Sequence, residues 1–187
     1  MEPCAPRSPP AAGGSSRSGG ECASVRVRNA VLADLPTLAA IERRSFPDPW
    51  PAELLAAYFG DPRALILVAE DPEIVGFLIA REESALWGSR TLHIHDLAVD
   101  PNHRRRGAGS ALLAELIAVA SGRGVPRIRL EVRVTNEGAR RFYNAHGFRP
   151  VRRLPCYYED GGPALRMELD LRRATGGTPG RGRTRRT

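Results

Sequence analysis

The feature that most constrains this chain is a strand-like segment joined to a helix by a loop rich in arginine and glycine. Residues 92–110 read LHIHDLAVDPNHRRRGAGS. We predict a strand over Thr91–Val99, a loop over His103–Gly109 and a helix over Ser110–Ser121. Glycines let a ligand approach the backbone closely, and the free N–H groups at a helix start favour negative charge. The segment therefore predicts an anion-binding loop, with a solvated arginine turn as the alternative.

Hydrophobic periodicity and turn residues divide the rest of the chain into strands and helices. The other predicted strands are Val25–Ala30, Ala64–Glu70, Ile74–Glu82, Arg127–Val134, Phe148–Arg153 and Ala164–Leu171. The other predicted helices run from Ala33 to Phe46, from Ala52 to Phe59 and from Asn136 to His146. Strands mixed with helices in a chain of this size predict an α/β (α+β layered) fold around one small sheet.

The net charge of +7 is concentrated at one end of the chain. Residues 172–187 carry six arginines and no acid, and residues 1–24 are neutral overall, which leaves +1 for residues 25–171. Both ends are low-complexity segments that bury too little apolar surface to offset the ordering of the backbone. We therefore predict one domain over 25–171, flanked by a disordered Pro/Gly/Ser-rich tail and a disordered Arg/Gly-rich tail. The arginine tail either contacts RNA or the ribosome through phosphates or is simply solvated.

The cysteines and two of the histidines show no disulfide or metal-binding pattern. Cys4, Cys22 and Cys156 are odd in number and widely spaced, and neither His103 nor His146 has a cysteine near it in sequence. We expect no metal and a reducing, cytoplasmic location. No apolar run approaches the roughly 18 residues of a membrane span, so no membrane partner is expected. The near-neutral domain predicts no specific DNA binding.

The strand and loop of residues 92–110 resemble the acetyl-coenzyme A signature of the GNAT N-acetyltransferase superfamily. The pattern Arg-x-x-Gly-x-Gly falls on Arg104, Gly107 and Gly109, after a strand that ends Leu-Ala-Val. The resemblance spans residues 25–171. It implies the GNAT acyl-CoA N-acyltransferase fold, a mixed sheet of six to seven strands with about four helices, in which the fourth strand splays from the fifth. It also implies acetyl-CoA as cosubstrate, bound by Leu97, Ala98, Val99, Arg104, Arg105, Arg106, Gly107, Ala108, Gly109, Ser110 and Asn136.

Further stretches resemble the RimI type of this superfamily, which acetylates the N-terminal alanine of a ribosomal protein. They are Ile41-Glu42 with Ser45-Phe46-Pro47 and Trp50, Leu130-Glu131-Val132-Arg133, Arg141-Phe142-Tyr143 with Gly147-Phe148, and Tyr157-Tyr158-Glu159-Asp160 with Ala164-Leu165-Arg166-Met167. The chain departs from that type at Phe142, where leucine is usual, and at Gly161-Gly162-Pro163, which interrupts the last motif. The resemblance implies a protein N-terminus as substrate, selected by the segments 47–51 and 153–162.

By the same resemblance, Glu131 is the general base and Tyr143 the general acid. An α-amine with a pKa of about 8 is mostly protonated at neutral pH and must lose a proton before it attacks a thioester. A carboxylate takes that proton directly or through water, and a tyrosine hydroxyl protonates the leaving thiolate. A backbone N–H near Leu97 or Ala98 polarises the thioester carbonyl. Purely structural alternatives are a solvated strand residue for Glu131, a core aromatic for Tyr143 and a helix N-cap for Asn136.

The histidine pair on the predicted fourth strand departs from the RimI type. His93 and His95 stand at i and i+2, so a regular strand places them on one side, together with Leu97 and Val99. The pattern His-x-His-x-Leu-Ala-Val is similar to that of arylalkylamine N-acetyltransferases, in which the histidines act as base through water. An ordinary histidine pKa of about 6.5 suits that task. His95 and His93 are therefore alternative bases to Glu131.

These patterns support three hypotheses about function. The leading one is an acetyl-CoA-dependent N-acetyltransferase that acts on a protein N-terminal α-amine by direct attack within a ternary complex. The second is an acetyltransferase for small-molecule amines (arylalkylamines or polyamines) that uses His93 and His95. The third is a non-catalytic acyl-CoA-binding module.

Overall fold

A computed structural model describes residues 25–84 and 89–173. The predicted tail 1–24, and residues 174–187 of the second predicted tail, lie outside the described residues. The strands are β1 Arg26–Asn29, β2 Ala64–Glu70, β3 Ile74–Ser84, β4 Arg90–Val99, β5 Arg127–Arg133, β6 Arg149–Leu154 and β7 Ala164–Asp170. The helices are α1 Leu35–Ser45, α2 Ala52–Phe59, α3 Ala108–Gly122 and α4 Glu137–Ala145. Among the described residues, no helix is long and apolar enough to cross a membrane.

The seven strands of the described region form one mixed sheet in the order β1-β2-β3-β4-β5-β7-β6. Neighbouring strands are antiparallel except β4 and β5, which run parallel. A parallel pair needs a long crossover, and α3 supplies it. The predicted layered α/β fold, with six to seven strands and about four helices, is confirmed.

Two apolar clusters cover the two faces of the sheet. One packs α3 residues such as Leu112 and Leu116 against β2–β5 and includes Tyr143 of α4. The other packs Leu38 and Ile41 of α1 and Leu55 of α2 against the opposite face of β2–β4. Because both faces are covered there, the first seven residues of β3, Ile74–Ala80, are continuously apolar rather than alternating.

Most element boundaries differ from the predictions by one or two residues, and three of the differences bear on the site or on the end of the domain. Helix α3 begins at Ala108, because Gly107 adopts the left-handed conformation (φ +95°) and serves as its N-cap. Strand β3 extends two residues further than predicted, to Ser84, which brings Glu83 into the sheet. A 3-10 turn at Leu171–Arg173 follows β7, so the described structure continues two residues past the predicted end of the domain.

Candidate active site

The site is built where two central strands separate. Strands β4 and β5 pair only at Leu92 with Ile128 and at His93 with Arg129. Beyond that point β4 continues to pair with β3 alone, as far as Val99 opposite Gly76. The predicted splay of the fourth strand from the fifth is therefore present. It frees one backbone edge of β4 to hydrogen-bond a ligand lying in the gap.

A β-bulge at His95 changes which side chains of β4 share a face. The pairing with β3 passes from Ile94 opposite Ala80 to Asp96 opposite Ile79, so His95 has no cross-strand partner. An extra residue reverses the alternation beyond it. His93 and His95 do lie together, with ring centroids 4.3 Å apart.

The prediction that Leu97 and Val99 share the face of these histidines is wrong, because the bulge intervenes. Both residues pack in the cluster that contains α3, whereas Ala98 packs in the cluster that contains α1 and α2. Their backbone groups, rather than their side chains, remain available along the open edge of β4. That edge is the part of the strand to which the resemblance assigns cofactor contacts.

The arginine loop ends in an exposed helix N-terminus. Arg105 (φ +66°) and Gly107 (φ +95°) both have positive φ angles. Glycine adopts such angles without strain because it has no Cβ. The first helical bond of α3 runs from the Ala111 N–H to the Gly107 carbonyl, so the N–H groups of the preceding residues, 108–110, have no intrahelical acceptor. Arg104 Nε donates to the Val99 carbonyl at 3.2 Å, which ties the loop to the end of β4. The arrangement suits an anion such as a pyrophosphate.

Helix α4 is capped at its N-terminus and contacts the start of α3 at its C-terminal end. Asn136 caps the helix by accepting the Ala139 N–H at 3.0 Å, so the N-cap role weighed from the sequence is present. At the other end, His146 Nε2 lies 3.1 Å from the Ser110 hydroxyl. A Cβ at Gly109 would lie 3.4 Å from the Phe142 ring, so glycine allows this close approach.

Glu131 lies at the centre of a charged cluster beside the gap. Its Oε2 is 2.5 Å from His93 Nε2, and its Oε1 accepts from Arg166 Nε at 2.7 Å. The other ring nitrogen of His93, Nδ1, is 3.0 Å from Glu83 Oε1. The structure thus brings Glu131 together with His93, and His95 lies next to them. The competing base candidates belong to one cluster.

Burial and neighbouring charges set the protonation states in this cluster. Burial acts to raise the pKa of Glu131, but hydrogen bonds and charges from His93 and Arg166 outweigh it and lower that pKa to about 2. Burial and the nearby His93 lower the pKa of His95 to about 4. Glu131 is therefore an anion at neutral pH and His95 a neutral imidazole. Glu131 acting alone is a weak base toward an ammonium group.

Tyr143 is buried in the apolar cluster that contains α3. Its ring makes edge-to-face contacts with Phe142 and Phe148, as the core-aromatic alternative requires. Burial, with smaller contributions from Asp96 and Tyr158, raises the pKa of the phenol above its usual range. The hydroxyl therefore keeps its proton at neutral pH, which is the state that a general acid needs.

A buried carboxyl pair, which the sequence did not reveal, supports the other side of β4. Glu42 of α1 and Asp96 of β4 are both buried and hydrogen-bond each other. Burial raises the pKa of both, and the repulsion between two carboxylates adds to the rise for Asp96. Neither Glu42 Oε2 nor Asp96 Oδ2 meets a donor among the described residues, so one shared proton satisfies both. Glu42 Oε1 also accepts the Trp50 N–H at 3.0 Å, fixing the segment between α1 and α2.

Sequence reasoning also missed three side chains that hold the cluster in place. Glu83 and Arg166 come from the strands beside β4 and β5, and the Tyr58 hydroxyl of α2 lies 3.2 Å from His95 Nδ1. The contact between Glu83 and His93 follows from the strand register, because Glu83 lies two residues from Arg81 and Arg81 pairs directly with His93. Such a diagonal contact is visible only once the register of the strands is known.

Comparison with known proteins agrees with this geometry. The model of the acetyltransferase (GNAT) family matches residues 35–148, from α1 to the residue before β6. The chain belongs to the GNAT acetyltransferase family. It is an acetyl-CoA-dependent N-acetyltransferase with the GNAT fold.

This GNAT enzyme is similar in sequence to two named N-acetyltransferases and in structure to a solved one. The N-alpha-acetyltransferase of Sulfurisphaera tokodaii is 34% identical over 158 residues, covering 78% of this chain and 93% of the relative. The [Ribosomal protein bS18]-alanine N-acetyltransferase of Escherichia coli is 31% identical over 128 residues, or 67% of this chain and 81% of the relative. The crystal structure of the ribosomal-protein-S18-alanine N-acetyltransferase from Escherichia coli superposes with a TM-score of 0.70 at 29% identity. It covers 79% of this chain and 94% of that one.

Proposed function

We propose that this GNAT enzyme transfers the acetyl group of acetyl-CoA to the N-terminal α-amine of a protein or peptide. The observation that carries the proposal is the Glu131–His93 pair, which lies at the point where β4 and β5 separate. In this proposal the pair accepts a proton from a substrate held along the open edge of β4. The names of the relatives support a protein N-terminus as the acceptor.

In this proposal the cofactor occupies the far end of the same gap and is bound by the residues that the resemblance implies. The backbone of Leu97–Val99 offers hydrogen bonds along the open edge of β4 to the pantetheine arm. The loop and helix start at 104–110 offer N–H groups and exposed guanidinium groups to the phosphates. Asn136, at the start of α4, is a further contact in this proposal while it caps the helix.

The Glu131–His93 pair takes the proton from the attacking amine. Glu131 is an anion that orients the ring of His93 through Nε2, and the two groups act as one coupled unit. Once deprotonated, the amine nitrogen forms a bond to the carbonyl carbon as the carbon–sulfur bond breaks, and the second proton of the nitrogen passes to water. Tyr143 gives its proton to the departing sulfur, and a backbone N–H near the bulge stabilises negative charge on the carbonyl oxygen.

Small-molecule amines are the second candidate acceptors. The adjacent rings of His93 and His95, 4.3 Å apart, support this alternative because they match the histidine pattern of the arylalkylamine enzymes. His95 is then the base that acts through water. A non-catalytic acyl-CoA-binding module is the third possibility, and one assay separates all three.

The assay follows thiol release by the full chain with acetyl-CoA and a panel of acceptors. Peptides that begin with alanine and lack lysine present a single amine, and the same peptides with a blocked N-terminus are the matched control. Tryptamine and spermidine represent the small amines. We expect turnover of free peptides only. Turnover of small amines alone overturns the proposal, and tight CoA binding without turnover supports the module.

We also place the enzyme in the cytoplasm, with one domain over residues 25–171. In this proposal the arginine-rich segment 172–187 is an accessory that brings the enzyme to the ribosome through phosphate contacts. Removing residues 174–187 leaves the described structure whole, so peptide kinetics should not change while co-sedimentation with ribosomes decreases. A large loss of kcat in that truncation places the domain boundary further toward the C-terminus.

A further inference from the structure

Three side chains beside the proposed substrate gap carry atoms that bind transition metals. They are Glu83 of β3 and the histidines His93 and His95 of β4, and one ligand atom from each lies within 4.8 Å of the others. Glu83 Oε1 is 3.0 Å from His93 Nδ1 and 3.9 Å from His95 Nε2. Two ligand atoms bound tetrahedrally to one zinc ion, at bond lengths near 2.1 Å, lie about 3.4 Å apart. The cluster therefore needs only small side-chain movements to hold an ion.

Each of these three groups is oriented by a partner of its own. Arg129 Nη2 donates to Glu83 Oε2 at 2.6 Å, which leaves Oε1 facing the histidines. His93 Nε2 lies next to Glu131 Oε2, and in the tautomer that carries its hydrogen on Nε2 the lone pair of Nδ1 lies on the side of Glu83. A carboxylate behind a metal-binding histidine is the usual second partner of such a ligand, because it fixes the tautomer and the ring orientation.

His95 supplies the clearest sign that a ligand atom is unused. Its Nδ1 meets the Tyr58 hydroxyl at 3.2 Å, whereas its Nε2 is buried and has no hydrogen-bond partner among the described residues. Leaving a buried polar atom without a partner costs free energy. A metal ion bound to Nε2 removes that cost, and the Tyr58 hydroxyl then accepts the hydrogen on Nδ1.

We propose that Glu83, His93 and His95 form a binding site for a divalent d-block cation such as Zn²⁺, and that the bound ion inhibits acetyl transfer. Two histidines and one carboxylate form a known zinc ligand set that leaves a fourth position open. The spacing of cysteines and histidines in the sequence does not indicate this site, because its third ligand is a carboxylate on another strand. The cation is an inhibitor here, since GNAT chemistry needs no metal.

The inhibition, unlike the metal binding, rests on the proposed function. An ion on His93 Nδ1 occupies the ring that is paired with Glu131 and places positive charge where the substrate ammonium must lose its proton. Binding and inhibition are therefore measured separately, so that one can fail while the other stands.

The binding test is a titration of the full chain with Co²⁺, whose visible absorption reports ligand geometry. We expect a four-coordinate spectrum without a thiolate-to-metal band, displaced by Zn²⁺. Both Glu83→Gln and His95→Ala should weaken binding by at least about tenfold, and Glu131→Gln by about 10- to 100-fold. His146→Ala, at a histidine outside the cluster, is the matched control and should bind as the unaltered chain does. Anomalous scattering from unaltered crystals grown with Zn²⁺ locates the ion without any variant.

The outcomes of this test are decisive. The site is refuted if the unaltered chain fails to bind Co²⁺, if Glu83→Gln and His95→Ala bind as tightly as it does, or if the zinc peak lies at Cys156. Zn²⁺ should also lower kcat/KM for peptide acetylation, reversibly on adding a chelator. A chain that binds the ion at this cluster without losing activity keeps the site and overturns the role of Glu131 and His93 as base.

Discussion

Glu131 Oε2 and His93 Nε2 lie 2.5 Å apart, where β4 and β5 separate beyond their last pair, His93 with Arg129. Glu131 is nearly fully buried and is also bound by Arg166, so its position is fixed on both oxygens. His93 in turn contacts Glu83 through its second ring nitrogen. The histidine and carboxylate therefore behave as one unit, and their separate effects on catalysis cannot be independent.

Substituting the two members of this pair tests that dependence. Glu131→Gln and His93→Gln should each lower kcat by about 10²- to 10⁴-fold, which is the usual worth of general base catalysis. The double variant should be no worse than the worse single variant, because residues that act as a unit give non-additive losses. Glu168→Gln, on the neighbouring strand β7, is the control and should keep full activity. Losses that multiply in the double variant indicate two independent roles.

Removing the Tyr143 hydroxyl tests the proposed general acid. Tyr143→Phe keeps the edge-to-face contacts with Phe142 and Phe148, so the core and the melting temperature should change little. We expect kcat to fall by about 10²-fold or more while the affinity for acetyl-CoA stays the same. Steady-state kinetics with a peptide substrate and a direct binding measurement separate the two quantities. An unchanged kcat leaves Tyr143 with a structural role only.

Local sequence patterns predicted the succession of strands and helices along the chain and the glycine loop, and offered the capping of α4 by Asn136 as an alternative, because each depends on neighbours a few residues away. The bulge at His95 was not predictable, since it arises from the pairing of β4 with β3, and it moved Leu97 and Val99 to the opposite face. The same holds for Glu42 and Asp96, whose contact joins two elements that are distant in sequence. The positions of these residues depend on contacts between elements that are distant in sequence, and the hydrophobic periodicity of a single element does not predict such contacts.

The glycines at the two ends of α3 allow the effect of a phosphate site to be separated from the effect of backbone strain. Gly107 (φ +95°) precedes the helix and Gly124 (φ +64°) follows it, and a Cβ at either position meets no atom within 4 Å. Alanine at either site should cost roughly 1–2 kcal/mol of stability, because an L-residue is strained in this conformation. Only Gly107→Ala should also raise the KM for acetyl-CoA several-fold, since only it adjoins the proposed phosphate site. Equal KM values for the two variants argue against phosphate binding at this loop.

The buried pair of Glu42 and Asp96 predicts that replacing the Asp96 carboxyl by an amide changes the stability of the fold little. In Asp96→Asn, an amide N–H replaces the shared proton toward Glu42, so the free energy of unfolding should stay close to that of the unaltered chain. Asp96→Ala leaves the Glu42 carboxyl buried without that partner and should cost about 1–3 kcal/mol. Urea unfolding at neutral pH measures both changes. An asparagine variant as unstable as the alanine variant means that the two carboxyls do not share a proton.

The stability of the β1 end of the sheet should depend on pH through Asp34. Arg28 donates to both oxygens of Asp34, at 2.7 and 3.1 Å, and to Glu70, at 2.7 Å. The hydrogen bond from Arg28 holds the pKa of Asp34 below its usual value, despite partial burial that opposes it. A lowered folded-state pKa stabilises the fold above the unfolded value of about 3.9, and that stabilisation disappears as the pH falls through the folded pKa.

Arg28→Met should therefore cost roughly 1 kcal/mol at neutral pH, the upper end of the range for such pairs. The difference from the unaltered chain should shrink as the pH falls below about 4, where the carboxyl becomes protonated in both chains. Arg141→Met removes the exposed pair with Glu137 and is the control, with little change expected at any pH. Chemical unfolding from pH 7 downward measures the difference. A cost that stays constant through the acid range means that Arg28 stabilises the fold by packing rather than by its charge.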